Sequence, residues 1–251
     1  MDSGIYAAYT GLLARTQALD TAANNLANAG TNGFRAQRDY FRGVLAGGMD
    51  QDPLTASQVG QAVNGFGVLG GDRLDFGQGQ MATTGNPLDL ALQGHGFFAV
   101  QTANGVRYTR DGSFTRSPAG VLETGLGQPV LDAKMQPITI PTGTIHVSAD
   151  GTVSVSTPGG SAIAGQVGVF DFANESALTA DGTNMFAANG AKPIQGSAKV
   201  RQGALENSNE DAIHGTMQMV LVERQFEMMQ RALSVFNNDF DKTATEDLPR
   251  V

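Results

Sequence analysis

A run of apolar side chains near the C-terminal end constrains this chain more than any other feature. Met219, Val222, Phe226, Met229, Leu233, Phe236 and Phe240 recur at spacings of three and four, which places them on one face of a long helix. The spacing predicts a helix over 207–240. Asn207 or Ser208 would cap it, and Glu210 and Asp211 in its first turn would complement the helix dipole. Ile213, Met217, Val220, Leu221, Met228, Val235 and the stem of Arg224 are expected to widen the apolar face. Such a helix is stable in water only when the face is buried. The other long helical pattern lies at the opposite end, where Ile5, Tyr9, Leu12, Thr16, Leu19, Ala23 and Leu26 step four, three, four, three. The expected fold is therefore α+β. Long N- and C-terminal helices pair as a coiled-coil-like base, and a mainly antiparallel β domain is inserted between them. A plain helical hairpin under a globular domain fits the same pattern. It leaves surplus apolar surface uncovered, however, and such surface marks contacts between subunits.

The first helix is expected from Ser3, its N-cap, to Asn28, closing in Gly30–Gly33. The segments expected are an N-terminal helix over 1–30, an extended connector over 31–78 and a β domain over 79–195. A return connector over 196–206, the C-terminal helix over 207–240 and a frayed polar tail over 241–251 follow. Alternating runs predict strands over 97–102, 106–110, 113–116, 121–124, 138–140, 145–149, 152–156 and 166–172. Turns are expected at Asn104-Gly105, Asp111-Gly112, Asp150-Gly151 and Pro158-Gly159-Gly160.

Charge and composition remove several functions. The net charge is −8 and no run of Lys or Arg forms a basic patch, which argues against nucleic acid. No apolar run approaches the roughly 20 residues of a membrane-spanning helix. The first residues lack a basic stretch followed by an apolar core, so no cleavable secretory signal is expected. Cysteine is absent, which removes disulfides, thiol catalysis and thiolate metal sites. His95, His146 and His214 stand in unrelated contexts, and no nucleophile-elbow, zincin or phosphate-loop pattern occurs. No catalytic residue, metal site or cofactor is expected. Gly65-Phe66-Gly67-Val68-Leu69-Gly70 matches a dinucleotide fingerprint with Asp89 downstream, but no strand precedes it and no helix is expected after it. It is expected to be connector.

Arg35, Arg38 and Arg42 follow the first helix in a region of four Arg against three Asp, a balance of +1. Residues 201–251 hold four Arg and one Lys against nine acids, a balance of −4. Ion pairs with Glu206, Glu210, Asp211, Glu223 or Glu227 are expected. An exposed pair is worth about 0–1 kcal/mol, so loss of Arg35 alone is expected to matter little.

Three strings resemble a known family. Ala23-Asn24-Asn25-Leu26-Ala27-Asn28 with Thr31-Asn32-Gly33-Phe34-Arg35 is similar to the N-terminal signature of flagellar rod, hook and hook-associated axial proteins. The stretch from Thr84 to Phe98, continued by Tyr108-Thr109-Arg110-Asp111-Gly112-Ser113-Phe114 and Gly120-Val121-Leu122, resembles the start of the rod and hook β domain. Gln202-Gly203-Ala204-Leu205-Glu206-Asn207-Ser208-Asn209 resembles the lead into that family's C-terminal helix. Within the family, the opening Met1-Asp2-Ser3-Gly4-Ile5-Tyr6 and the compact length are similar to proximal rod subunits, with the distal branch as alternative.

The resemblance implies a structural subunit of the flagellar basal-body rod, located in the periplasmic space and exported by the flagellum's own apparatus. Its partners would be copies of itself and neighbouring rod subunits. The terminal helices would polymerise into a helical drive shaft that transmits torque. The polymer interface is expected at Ile5, Tyr9, Leu12, Leu19, Asn24, Asn25, Leu26, Asn28, Phe34, Arg35, Met219, Val222, Phe226, Met229, Leu233 and Phe236. The reading from another class is a monomeric β-domain binding module, which would stay folded without either terminus.

Overall fold

The structure, a computed structural model, describes residues 2–42 and 68–246. It is α+β, with two long helices and mainly antiparallel sheets. Helix α1 spans Asp2–Ala27 and helix α2 spans Ala212–Glu246. The chain forms two compact units. A helical unit draws on Met1–Leu26, Gln37–Arg73 and Ile213–Val251, and a β unit on Ala27–Ala36 and Leu74–Ala212.

In the helical unit, strands β1 (Gln37–Arg42) and β2 (Val68–Leu74) pair with each other. Asn25 of α1 fastens β1 by imitating a strand edge: its Nδ2 donates to the Gln37 carbonyl (2.8 Å) and its Oδ1 accepts from the Gln37 amide (2.9 Å). Thr21 Oγ1 donates to Asp39 Oδ1 (3.1 Å) on the same strand. Burial holds the Asp39 carboxyl above the usual carboxylate range, the Thr21 bond opposes this, and Asp72 pushes it higher.

The β unit is built from short strands. Its largest sheet runs β13 (Thr179–Ala180), β14 (Met185–Ala187), β6 (Gly105–Thr109), β5 (Phe97–Thr102), β12 (Val169–Asp171) and β15 (Ile194–Gln195). A second joins β9 (Thr144–Val147), β10 (Thr152–Thr157) and β11 (Gly160–Gln166). Three two-stranded ladders complete it: β3 (Met81–Thr83) with β17 (Ala204–Glu206), β4 (Leu90–Gln93) with β16 (Lys199–Gln202), and β7 (Phe114–Arg116) with β8 (Leu122–Thr124).

Strand β5 shows why the unit closes. Phe97-Phe98-Ala99-Val100 is buried throughout, and alternation sends its side chains to two sides. Phe98 and Val100 join an aliphatic core with Leu90, Leu92, Phe114, Leu122 and Val155. Phe97 and Ala99 join an aromatic core with Tyr108, Phe170, Phe172 and Phe186. The Tyr108 and Phe172 rings meet edge to face at 4.8 Å, a favoured aromatic geometry.

Several expectations change. Helix α1 begins at Asp2, which puts Ser3 inside its first turn rather than at the cap. Of the closing glycines, Gly33 takes the left-handed conformation (φ +69°). Helix α2 starts at Ala212, because the preceding residues are committed to the β unit. Asn209 Nδ2 donates to the Asp75 and Gly77 carbonyls (2.6 and 3.1 Å), and its Oδ1 accepts from the Ala36 amide (2.8 Å). Ser208 Oγ accepts from the Glu210 amide (3.0 Å), a local turn and not a helix cap. Helix α2 also runs to Glu246, well into the expected tail.

The hairpin expected at Asp111-Gly112 does not form, since β6 pairs with β5 and β14 while β7 pairs with β8. The β5–β6 loop is Ala103-Asn104, closed by the Thr102–Gly105 pair. Of residues 138–140, Thr139 forms an isolated bridge with Val121, in place of a strand. Gly65, Phe66 and Gly67 lie outside the described residues, and Val68 to Gly70 open a strand, so the fingerprint's helix is absent.

Gly112 marks the tightest approach in this unit. A Cβ there would sit 1.7 Å from the Leu90 carbonyl oxygen, and the Leu90 amide donates to Gly112 O (3.0 Å). Gly112→Ala is expected to destabilise the unit by at least about 1–3 kcal/mol, the usual cost of overpacking. Gly125→Ala, where an added methyl meets nothing within 4 Å, should be near neutral. Thermal melts of the two variants check this.

Candidate assembly site

The most heavily buried polar group in the β unit is the Glu206 carboxylate. Its Oε1 accepts from Arg35 Nη2 (2.6 Å) and from the Gly79 amide (2.8 Å), and its Oε2 accepts from Arg110 Nη1 (3.1 Å). The Arg35 and Glu206 side chains are fully enclosed and that of Arg110 almost so. The Gly33 amide donates to the Glu206 carbonyl (2.8 Å), Arg110 Nη2 donates to the Gly94 carbonyl (2.8 Å), and the Arg110 guanidinium stands 5.2 Å over the Phe97 ring. One carboxylate thus faces two cations. Burial pushes the Arg110 guanidinium below its ordinary value; Glu206 holds it up and Arg35 adds to the depression. Among the described residues, Nε of Arg35 and of Arg110 has no hydrogen-bond partner.

The expected Arg35–Glu206 pair therefore forms, but inside one chain and stripped of water. Arg35 and Phe34, both expected at a polymer interface, are interior residues of the β unit. Arg38 lies exposed on β1, and the Arg42 side chain is outside the described residues. Arg110, Gly79 and Asn209 were missed as partners in this region. Arg110 lay in a recognised string, but its partner is 96 residues away in sequence, beyond any local pattern.

The helical unit carries candidate surfaces of its own. On α2 the expected stripe of Met219, Val222, Phe226 and Met229 is the inward face: Met229 is buried and the other three half-buried. The side chains of Leu233 and Phe236 lie outside the described residues. Ile213, Met217, Leu221, Met228 and Val235, expected to widen that face, form instead a separate outward stripe. At about 100° per residue they fall roughly opposite the inward one. Ile213 is 72% exposed, Met217 61% and Met228 62%. Arg224 and Arg231 lie within the stripe, and Arg231 pairs with Glu227 (3.5 Å) one turn back.

Helix α1 repeats the arrangement with its faces exchanged. The face it buries is small and polar: Gly11, Ala14, Ala18 and Asn25. The expected apolar stripe points roughly the other way, with Leu12, Leu19 and Leu26 half-buried and Tyr9 56% exposed. Leu13 beside it is 62% exposed. Asn24 is exposed on this helix, and Asn28 Oδ1 accepts from the Thr31 hydroxyl (3.3 Å). The Ile5 side chain lies outside the described residues.

His95 sits beside Glu175 (3.5 Å), His146 on β9 and His214 in the first turn of α2. Among the described residues, no group of His, Asp and Glu has metal-site spacing, and no helix is long and apolar enough to cross a membrane.

Comparison with known proteins covers the whole chain. The profile of the family described as flagella basal body rod protein matches residues 5–35, and that described as flagellar hook protein FlgE/F/G D1 domain matches residues 91–155. The flagellar basal-body rod protein FlgF of Caulobacter vibrioides is 32% identical, with 100% of each chain covered. FlgF of Escherichia coli K12 is 34% identical over 91% of this chain and 93% of its own. The rod protein FlgG of Borreliella burgdorferi is 29% identical over 95% and 96%.

The buried cluster reverses the expectation for Arg35. Removing one partner of a buried ion pair leaves an uncompensated charge, so Arg35→Ala and Glu206→Gln are each expected to cost about 3–5 kcal/mol. Lys134→Ala, at an exposed side chain, should stay within about 0.5 kcal/mol. Urea unfolding of the purified variants measures the difference.

Proposed function

This chain belongs to the flagellar basal-body rod protein family, and from that membership we propose how it works as a structural subunit of the rod. Its place is the flagellar basal body, and its role is structural rather than enzymatic. The finer account is that it polymerises through its terminal helices into the helical shaft that carries torque. It would be exported by the flagellar apparatus and assemble in the periplasmic space. Its opening residues favour the proximal part of the rod.

One observation carries this reading: α2 presents an exposed apolar stripe opposite the face it buries, and α1 exposes Tyr9 and Leu13 away from its own buried face. A helix that is apolar on two opposite sides is complete only between two layers. The inward stripe of α2 is the one suited to pairing with α1 in a coiled-coil-like base. The outward stripes are suited to other copies and to neighbouring rod subunits. Fully burying a side chain such as Leu221 or Met228 contributes about 1.5–3 kcal/mol, so a stripe repeated on every subunit sums to a large lateral attraction. A head-to-tail contact that does not close into a ring builds a helix. Torque is then spread over many modest contacts.

The test is a variant that makes the outward stripe polar and leaves the inward stripe intact: Met217→Gln, Leu221→Gln and Met228→Gln together. Because these side chains are exposed in the single subunit, its melting temperature should change by no more than about 2 °C, equivalent to less than about 1 kcal/mol. The variant should be secreted, yet cells should lack rods and fail to swim. Normal motility, or a subunit that unfolds, would reject the stripe as an assembly surface.

A further inference from the structure

We propose that the Arg35–Glu206–Arg110 cluster is a register pin, which selects one path for the chain where it leaves the β unit and contributes little net stability. The chain passes between the two units after Leu26, Ala36, Arg73 and Ala212. Arg35 stands one residue before the second passage, Gly79 follows the third, and Glu206 precedes the fourth. Through its carboxylate and its carbonyl, Glu206 holds Arg35, Gly33 and Gly79, so it fixes three of the four passages to one another.

Strand β17 is held at its start by Gly203, whose carbonyl accepts from the Thr84 and Gly85 amides (2.8 and 3.1 Å), and at its end by Glu206. It pairs with β3 over only three residues, Ala204 with Thr83, Leu205 with Ala82 and Glu206 with Met81. Register is ordinarily set by alternation, because a slip of one residue moves every apolar side chain to the wrong face. Here that signal is missing, since Ala204, Leu205 and Glu206 are all buried. A slip would still leave a buried residue at most positions, so burial by itself marks the register only through Leu205. It would also carry the carboxylate away from both guanidiniums and the Gly79 amide, and those bonds are satisfied in a single register.

The energetics point the same way. Within the cluster two cations share one carboxylate, with Glu175 acting on Arg110 from outside it; all three side chains are removed from water, and among the described residues both Nε atoms lack partners. A buried cluster with incomplete hydrogen bonding offsets its own desolvation poorly, and apolar replacements of similar volume often match or exceed it in stability. Apolar contacts, however, have no direction, and they cannot tell one register from the next.

The experiment replaces the whole cluster in the full-length chain with Arg35→Met, Arg110→Met and Glu206→Leu, and compares it with Glu206→Gln alone. The triple variant is expected to melt at or above the wild-type temperature, whereas Glu206→Gln melts well below it. Despite its stability, the triple variant should show more than one set of amide resonances for Met81–Thr83 and Ala204–Glu206. The Asn207 amide, which donates to Gln80 O (2.9 Å) in the pinned register, should exchange at least tenfold faster. A second apolar set, Arg35→Leu, Arg110→Met and Glu206→Met, guards against a packing accident. If both sets melt as low as Glu206→Gln, the cluster is a stabiliser and the proposal fails. It fails equally if either set is stable and keeps one set of resonances with wild-type exchange at Asn207. None of these readings depends on rod assembly.

Discussion

The contact that ties distant segments of the β unit to one another is the Glu206 carboxylate held between Arg35 and Arg110. It joins residues 171 positions apart and is sealed from solvent on every side. A carboxylate in that position is costly to desolvate, so the surroundings must supply donors from segments that share no local sequence. They come from the stretch after α1, the return at Gly79 and the end of β6. The stretch after α1 is built in tightly: a Cβ on Gly33 would lie 2.3 Å from the Asp111 amide nitrogen, and Asn184 Nδ2 donates to both Asn32 O (3.3 Å) and Asp111 Oδ2 (3.0 Å). Residues that follow the first helix in sequence thereby belong structurally to the β unit.

The two units differ in how complete they are. The β unit encloses an aliphatic and an aromatic core, and its exits are bonded together. The helical unit buries one face of each helix and leaves large apolar residues in water on the other. That asymmetry fits the proposed subunit, with a finished β body and helices completed by neighbours. It also explains why one helix can carry two apolar stripes without contradiction: each stripe answers to a different partner.

Much of this was legible in the residues. Apolar patterning located most of β5 to β10: β10 alternates as half-buried strands do, while Phe97 to Val100 of β5 is a continuous buried run. The three-four spacing located both helices. Spacing shows that a face exists, however, and not which face the chain itself covers. On α1 the buried side is Gly11, Ala14, Ala18 and Asn25; the Asn25 side chain grips the backbone of β1, a close approach that small neighbours permit. On α2 the outward stripe was taken as a broadening of the inward one, although its angular position sets it opposite. Long-range polar partners were hardest to see. Arg35 and Glu206 were matched through regional charge, but burial, which turns a negligible pair into a decisive one, has no local signature. Arg110 and Asn209 act through contacts that only the folded chain creates.

The central claim is that the outward stripes close only between subunits while the β unit keeps its own structure. Cryo-electron microscopy of isolated basal bodies, with this subunit traced, tests it most directly. Met217, Leu221 and Met228 should be buried against a neighbouring subunit, and Glu206 should still lie between Arg35 and Arg110 of the same chain. A map in which that stripe faces open solvent, with subunits joined through their β units alone, would contradict the account.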